Sequence, residues 1–400
     1  MAERPGIYQF GPFRLDVPQR RLLRDREEIV LRMKVFDTLR VLIENAGRLV
    51  TKEDLLKAIW PDAVVEENNL NHNISVLRKA LGENATGQRF IETVPRVGYR
   101  FAATLEETGA TASGSVASAE RQEIRYCVTS DRVRLAYASI GSGPPLVKAS
   151  NWLTHLDYEW GSPIWRHWWT ELSKHHRVIR YDERGNGMSQ RDVPGISFET
   201  WVRDLETVVD AAGLDRFSLL GISRGGSIAI AYAVKHPERV SRLVLYGAFP
   251  AGLNLCGSPQ QREARRALAS LMRLGWGVNN PAFCKMFTCR FIPNATPAHE
   301  QWFDDLQRVS TSGENAARLM EIDDDIDVRG ILHKLRVPTL IVHCDRDQVV
   351  SPERGRQMAA EIPGARYVSL PSANHLVLAE EPAWKIFLKE IGEFLEWQAD

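Results

Sequence analysis

The sequence predicts two domains in series: an α+β domain over residues 1–104, and an α/β domain over 122–400 with a mostly parallel sheet and a helical insertion at about 250–334. Three observations carry this. From Arg125 onward, short apolar runs alternate with helical stripes at a spacing that implies parallel strands joined by right-handed crossovers. One run, Phe217-Ser218-Leu219-Leu220, breaks into Gly221-Ile222-Ser223-Arg224-Gly225-Gly226, a serine held between glycines where a strand turns into a helix. Before residue 104 the order is different: short strand-like pieces, then 3.6-residue periodicity, then a hairpin.

Four hundred residues suffice for two separate cores. Lys and Arg number 51 and Asp and Glu 51, so overall charge names no partner. Residues 1–104 carry about +3, a mild basic tilt offset by the remainder. No apolar run approaches a membrane span and the start does not resemble a signal peptide, so a cytoplasmic protein without a membrane partner is expected. The 5 cysteines lack metal-ligand spacing and read as free thiols; no metal or cofactor is expected.

The first domain opens with strand-like pieces at Tyr8–Phe10, Phe13–Leu15 and Ile29–Leu31. Val35, Leu39 and Leu42 then lie on one helical stripe that ends at Gly47. Thr51 reads as the N-cap of a second helix stopped at Trp60-Pro61. In a third helix, about Glu67 to Leu81, the residues Leu70, Ile74, Leu77 and Leu81 form the buried stripe. The other face presents Asn68, His72, Ser75 and Lys79, flanked by Asn71 and Arg78. Such short polar and cationic side chains suit base edges and phosphates in a major groove. Two further strands, Phe90–Val94 and Gly98–Phe101, flank a basic tip at Pro95-Arg96.

Leu70 to Leu81, followed by Ile91-Glu92-Thr93-Val94-Pro95-Arg96-Val97-Gly98-Tyr99-Arg100-Phe101, resembles the winged helix-turn-helix DNA-binding domain of OmpR/PhoB-type response regulators. The resemblance implies a recognition helix in the major groove of double-stranded DNA and a wing near Arg96 in the adjacent minor groove. The phosphoacceptor receiver domain usual in those regulators is missing from this sequence. Thr108 to Ser115 cannot bury enough apolar surface to order itself, so residues 105–121 are expected to be a flexible tether.

Beyond the tether, Arg125–Thr129 and Val133–Ile140 read as antiparallel opening strands and Pro144–Ala149 as the first buried one. Val178 to Tyr181 leads into Asp182-Glu183-Arg184-Gly185-Asn186-Gly187-Met188-Ser189, and helix Phe198–Ala212 leads to the serine turn. With Gly-Ile-Ser-Arg-Gly and this Asp-x-Arg-Gly-x-Gly-x-Ser loop, the chain from about Arg121 resembles the α/β-hydrolase family. Between Ala248 and about Lys334 the pattern turns helical and aromatic, where the family inserts its lid. The acidic run Glu321, Asp323, Asp324, Asp325 and Asp327 lacks the glycine of a calcium loop and reads as a solvated face.

A serine needs a base and an orienting acid. Strand Pro338–Val342 delivers Asp347, which matches the family's acid better than Asp345, and strand Tyr367–Leu370 delivers His375. Ser223, Asp347 and His375 stand in the order this fold requires. The family's oxyanion donors fall on the amides of Arg224 and Trp152, the latter after Ser150-Asn151 where His-Gly is usual. Trp160, Trp276 and Phe287, with Trp152, are the candidate pocket walls. The whole reads as a transcriptional regulator, expected to be a homodimer, whose second domain senses a small ester, lactone or amide and has the residues to hydrolyse it. The alternative is a serine hydrolase with a winged-helix docking module.

Overall fold

The computed structural model describes residues 7–17, 20–24, 27–29, 31–59, 67–83, 90–94, 97–103, 122–193, 195–276 and 281–397. The chain divides into two units, Met1–Gly114 and Ser115–Asp400. The expected tether over 105–121 lies outside the described residues.

The first unit begins with a four-stranded antiparallel meander, β1 (Ile7–Phe10), β2 (Phe13–Asp16), β3 (Arg21–Arg24) and β4 (Glu27–Ile29). Strand β3 escaped the sequence reading, because Arg21-Leu22-Leu23-Arg24 pairs charged ends with two leucines and shows no alternation. Helices Met33–Glu44, Lys52–Ile59 and Glu67–Ala80 follow, and β5 (Leu49–Thr51), β6 (Ile91–Val94) and β7 (Gly98–Phe101) form a second small sheet in the order β5-β7-β6. Thr51 caps its helix, its Oγ1 accepting from the Asp54 amide at 3.1 Å.

One aromatic cluster joins these layers. Phe10 meets Phe101 edge-on at 5.0 Å and Phe13 meets Phe90 at 5.4 Å, so the opening meander packs on the closing hairpin. Gly98 is dictated by contact: a Cβ there would lie 2.0 Å from the Val50 carbonyl oxygen. The helix Glu67–Ala80 buries Leu70, Ile74 and Leu77, as its periodicity predicts, and Asn73 ties it to the first helix through Thr38 Oγ1 at 3.0 Å.

The second unit is an eight-stranded sheet in the order β15-β14-β13-β12-β10-β11-β9-β8. Its strands are β8 (Glu123–Val128), β9 (Arg134–Ile140), β10 (Pro145–Ala149), β11 (Arg177–Tyr181), β12 (Phe217–Ile222), β13 (Val240–Tyr246), β14 (Thr339–Cys344) and β15 (Arg366–Leu370). Strands β10 to β15 run parallel to one another, and β9 pairs antiparallel with both β11 and β8. Strands β12 and β14 are buried along their whole length because helices cover both faces, which is why they read as continuous apolar runs. Between β13 and β14 the chain inserts helices Leu253–Cys256, Pro259–Gly275, Pro281–Phe291, Pro297–Ser310 and Gly313–Asp325. Among the described residues no helix is long and apolar enough to cross a membrane.

Candidate functional site

Strand β12 ends in a turn that forces Ser223 into φ 53°, ψ −126° before helix Arg224–Lys235 begins. A non-glycine residue held there is strained, and the turn persists because its neighbours have no side chains to clash. A Cβ on Gly221 would sit 2.6 Å from Gly226 Cα, and one on Gly226 would sit 2.3 Å from Ala248 Cβ. The Ser223 amide donates to the Tyr246 carbonyl at 2.8 Å, which locks the turn to β13.

The loops after β14 and β15 bring Asp347 and His375 together: His375 Nδ1 lies 2.6 Å from Asp347 Oδ2, both side chains 1% exposed. Asp347 Oδ1 accepts from the amides of Val349 at 2.8 Å and Val350 at 3.0 Å. Burial works to raise the Asp347 carboxyl, but the His375 contact and the Val350 amide together hold it below the ordinary carboxylate range. Gly247 makes room for the imidazole, since a Cβ there would come within 2.9 Å of His375 Cε1. His375 Nε2 is buried with no hydrogen-bond partner among the described residues, and it lines a small cleft together with Ser223.

Ser223 and Asp347 also line a cavity of about 370 Å³, walled by Trp152, Phe249, Leu268, Phe287 and Phe291. Trp152 stacks on Phe291 at 5.4 Å. Of the four aromatic residues read as wall, Trp152 and Phe287 line this cavity. Trp276 stands behind it, edge-on to Trp152 at 5.8 Å and to Phe287 at 5.6 Å. Trp160 is turned elsewhere, under the Arg166 guanidinium at 4.7 Å. Sequence periodicity cannot separate a wall residue from one buried elsewhere, and here Trp276 lies in the layer behind the wall and Trp160 away from it.

The side chain of Arg224 performs a task that the motif did not reveal. It is 1% exposed, donates to both Glu183 carboxylate oxygens and, at 3.0 Å, to Asp323 Oδ1, and lies 4.1 Å over the Trp201 ring. One guanidinium thereby joins the serine turn, the loop after β11 and the inserted helix Gly313–Asp325. This corrects the solvated reading of the acidic run: Asp323 and Asp324 are buried, and Asp324 pairs with Arg265 at 3.0 Å. The arginines that neutralise them are 59 and 99 residues away in sequence, so local composition could not disclose them. Among the described residues no acidic, cysteine and histidine group could hold a metal. Burial pushes Glu183 up to about 7 against the charge of Arg224, and Asp324 up to about 6 against that of Arg265.

In the first unit, Asn71, His72, Ser75 and Lys79 are exposed on one side of helix Glu67–Ala80. Tyr99 Oη donates to Asn71 Oδ1 at 2.8 Å. Arg78 is otherwise engaged than its flank position suggested. Its Nη2 donates to the Ile91 carbonyl at 2.9 Å and Thr93 Oγ1 at 2.7 Å, and its Nε faces Glu83 at 3.3 Å, which brackets the helix to the hairpin. The side chain of Asn68 and all of Arg96 lie outside the described residues.

Comparisons with known proteins agree with this architecture. Residues 154–382 match the family described as alpha/beta hydrolase fold, and residues 26–101 match the family described as transcriptional regulatory protein, C terminal. A 2-hydroxy-6-oxo-2,4-heptadienoate hydrolase of Pseudomonas putida is 30% identical over 299 residues, 68% of this chain and 96% of its own length. Pyrrolizixenacetamide deacetylase of Xenorhabdus hominickii is 27% identical over 64% of this chain and 92% of its own length. Among solved structures, the enol-lactonase of Burkholderia xenovorans superposes with a TM-score of 0.56 at 27% identity, covering 68% of this chain and 100% of its own.

A carboxyl whose folded pKa exceeds its unfolded value keeps a proton that the unfolded chain has released, so stability falls as pH rises across that interval. Replacing Arg224 with Met removes the charge that opposes this rise at Glu183 and Asp323. Arg224→Met should cost about 3 kcal/mol or more at pH 8, with the deficit shrinking toward pH 5 as both carboxyls take up protons. Urea unfolding across that pH range is the measurement; a deficit independent of pH would mean the two carboxylates are not what the guanidinium compensates.

Proposed function

Because the chain belongs to the alpha/beta hydrolase fold family and carries a transcriptional-regulator DNA-binding domain at its amino end, we propose that it is a cytoplasmic one-component regulator whose second domain binds, and hydrolyses, a small ester, lactone or amide. The observation that carries the hydrolytic part is the 2.6 Å contact of His375 with Asp347 beside a serine held at φ 53° in the same cleft.

In this reading Ser223 Oγ attacks the carbonyl carbon of the ligand while His375 Nε2 takes its proton. Asp347 keeps the other ring nitrogen protonated and steadies the imidazolium. The amides of Arg224 and Trp152 receive the oxyanion, and the Arg224 side-chain pairing fixes the first of them. Collapse expels the alcohol or amine, protonated by His375; water activated by the same nitrogen then cleaves the acyl-enzyme to release the acid. The aromatic wall of the cavity supports a ligand with an apolar body. The inserted helices over about 250–334 act as its lid, and residues 105–121 serve as the tether between domains.

On the DNA side, His72 and Ser75 read base edges while Lys79, Asn71, Asn68 and Arg96 hold the backbone and the minor groove. Arg78 contributes by setting the angle between recognition helix and wing. In this reading the ligand acts by favouring one packing of two hydrolase domains, or of a hydrolase domain and a winged helix, and the form proposed on DNA is a homodimer.

Three outcomes test this. Ser223→Ala should abolish hydrolysis of 4-nitrophenyl butyrate and His375→Ala nearly so, while Asp347→Asn should lose on the order of 10⁴-fold in kcat; activity retained in Ser223→Ala would place the nucleophile elsewhere. Lys79→Ala should weaken binding to all duplexes and lower the salt slope by about 1, because one phosphate contact and its counterions are lost. His72→Ala should instead relax sequence preference, and unchanged binding by both variants would remove this face from the groove. Third, since occupancy alone shifts a conformational equilibrium, Ser223→Ala should keep the ligand's effect on DNA binding and hold it longer. Ligand bound normally by that variant without any change on DNA, in a titration beside the parent, would make the acyl-enzyme or the product the signal.

A further inference from the structure

The charged residues around the cavity do not balance. Three carboxylates line it, and each already has a cationic or imidazole partner: Asp323 with Arg224 at 3.0 Å, Asp324 with Arg265 at 3.0 Å, and Asp347 with His375 at 2.6 Å. Two further guanidinium groups, those of Arg290 and Arg354, line the same cavity as Ser223. Arg290 donates to the Gln348 carbonyl at 3.4 Å, the long end of hydrogen bonding, and neither arginine has a carboxylate partner among the described residues. They project from separate elements, Arg290 from helix Pro281–Phe291 and Arg354 from helix Pro352–Glu361, so one fixed fold brings them to a common space. Gln261, Gln348 and Ser351 add neutral polar groups to a wall that is otherwise aromatic and aliphatic.

Arg290 is exposed and Arg354 half-buried, so both guanidinium groups stay accessible to an anion that enters the cavity. Desolvation and the nearby charge of Arg265 push the Arg290 guanidinium below its ordinary value, and the charge of Asp347 offsets this only in part. Guanidinium presents a planar fork that suits a carboxylate in two parallel hydrogen bonds.

Building on the ligand-binding reading of this cavity, we propose that its ligand carries a free carboxylate, which Arg290 and Arg354 hold while the scissile carbonyl faces Ser223. The substrate class is then a monoester or monoamide of a dicarboxylic acid, or a lactone that bears a free carboxylate, rather than a neutral ester. The carboxylate fixes the register of the ligand along the cavity and decides which carbonyl meets the nucleophile.

The test uses full-length Ser223→Ala protein, in which neither ester turns over, and reads quenching of tryptophan fluorescence, Trp152 being in the wall. The probes are mono-4-nitrophenyl glutarate and 4-nitrophenyl pentanoate, which share acyl length and differ in the terminal carboxylate. The monoester should bind about tenfold more tightly or better, as charge-assisted hydrogen bonds of about 1.5 kcal/mol or more would give, and added salt should narrow the gap. Arg290→Gln with Arg354→Gln, added to Ser223→Ala, should bring the ratio of the two affinities close to one. Arg290→Lys with Arg354→Lys should restore part of it, since charge returns without the fork. Equal affinity for the two esters, or a preference that survives the paired Gln substitutions, would overturn the proposal. Should the parent hydrolyse neither ester, the hydrolytic reading fails by itself, and the binding ratio still decides the carboxylate.

Discussion

The second unit depends on one backbone constraint: a serine held at positive φ between a buried strand and a buried helix. Nothing larger than hydrogen can stand at Gly221 or Gly226, because both positions press on backbone or on Ala248. Given that turn, the rest of the site follows from the order of the sheet. Strands β12, β13 and β14 are neighbours, and β15 follows β14, so the loops that leave their ends converge on the turn. Asp347 and His375 come from successive parallel strands and meet beside Ser223 without any long-range adjustment of the chain.

The side chain of Arg224 extends the same constraint outward. Its buried pairs with Glu183 and Asp323 fasten the turn to the loop before it and to an inserted helix above it. A buried ion pair is weak evidence of net stability, since desolvation offsets much of its attraction, but removing one partner leaves an isolated charge and is costly. The arrangement therefore specifies position more than it adds strength. In the first unit Arg78 and Glu83 do comparable work, with Glu83 accepting from the amides of Phe90 and Ile91 at 2.8 and 2.7 Å while Arg78 reaches over to the same strand.

What could be read from the sequence was whatever depends on local pattern. Strand-and-helix alternation, the glycines around Ser223 and the buried stripe of Leu70, Ile74 and Leu77 are periodic or contiguous signals, and the fold carries them as expected. The meeting of Asp347 with His375 was legible because each ends a strand of recognisable type. Strand β3 was not, having no alternation, and neither was the burial of Asp323 and Asp324, which depends on arginines brought from other elements. The same limit applied to Trp160 and Trp276: an aromatic residue announces burial, while the sequence does not say which layer it joins.

The division of labour at the turn bears on how such a chain can change over time. Among the described residues the Ser223 hydroxyl makes no hydrogen bond that holds another element, whereas its neighbour Arg224 is tied into three. A single-base change that removes the hydroxyl would silence the chemistry and leave pocket, helices and charge pairs standing. A change at Arg224 would disturb all of them. On the proposed reading, enzyme and receptor would be neighbouring genotypes on this scaffold, the step between them lodged in a side chain that the architecture does not use.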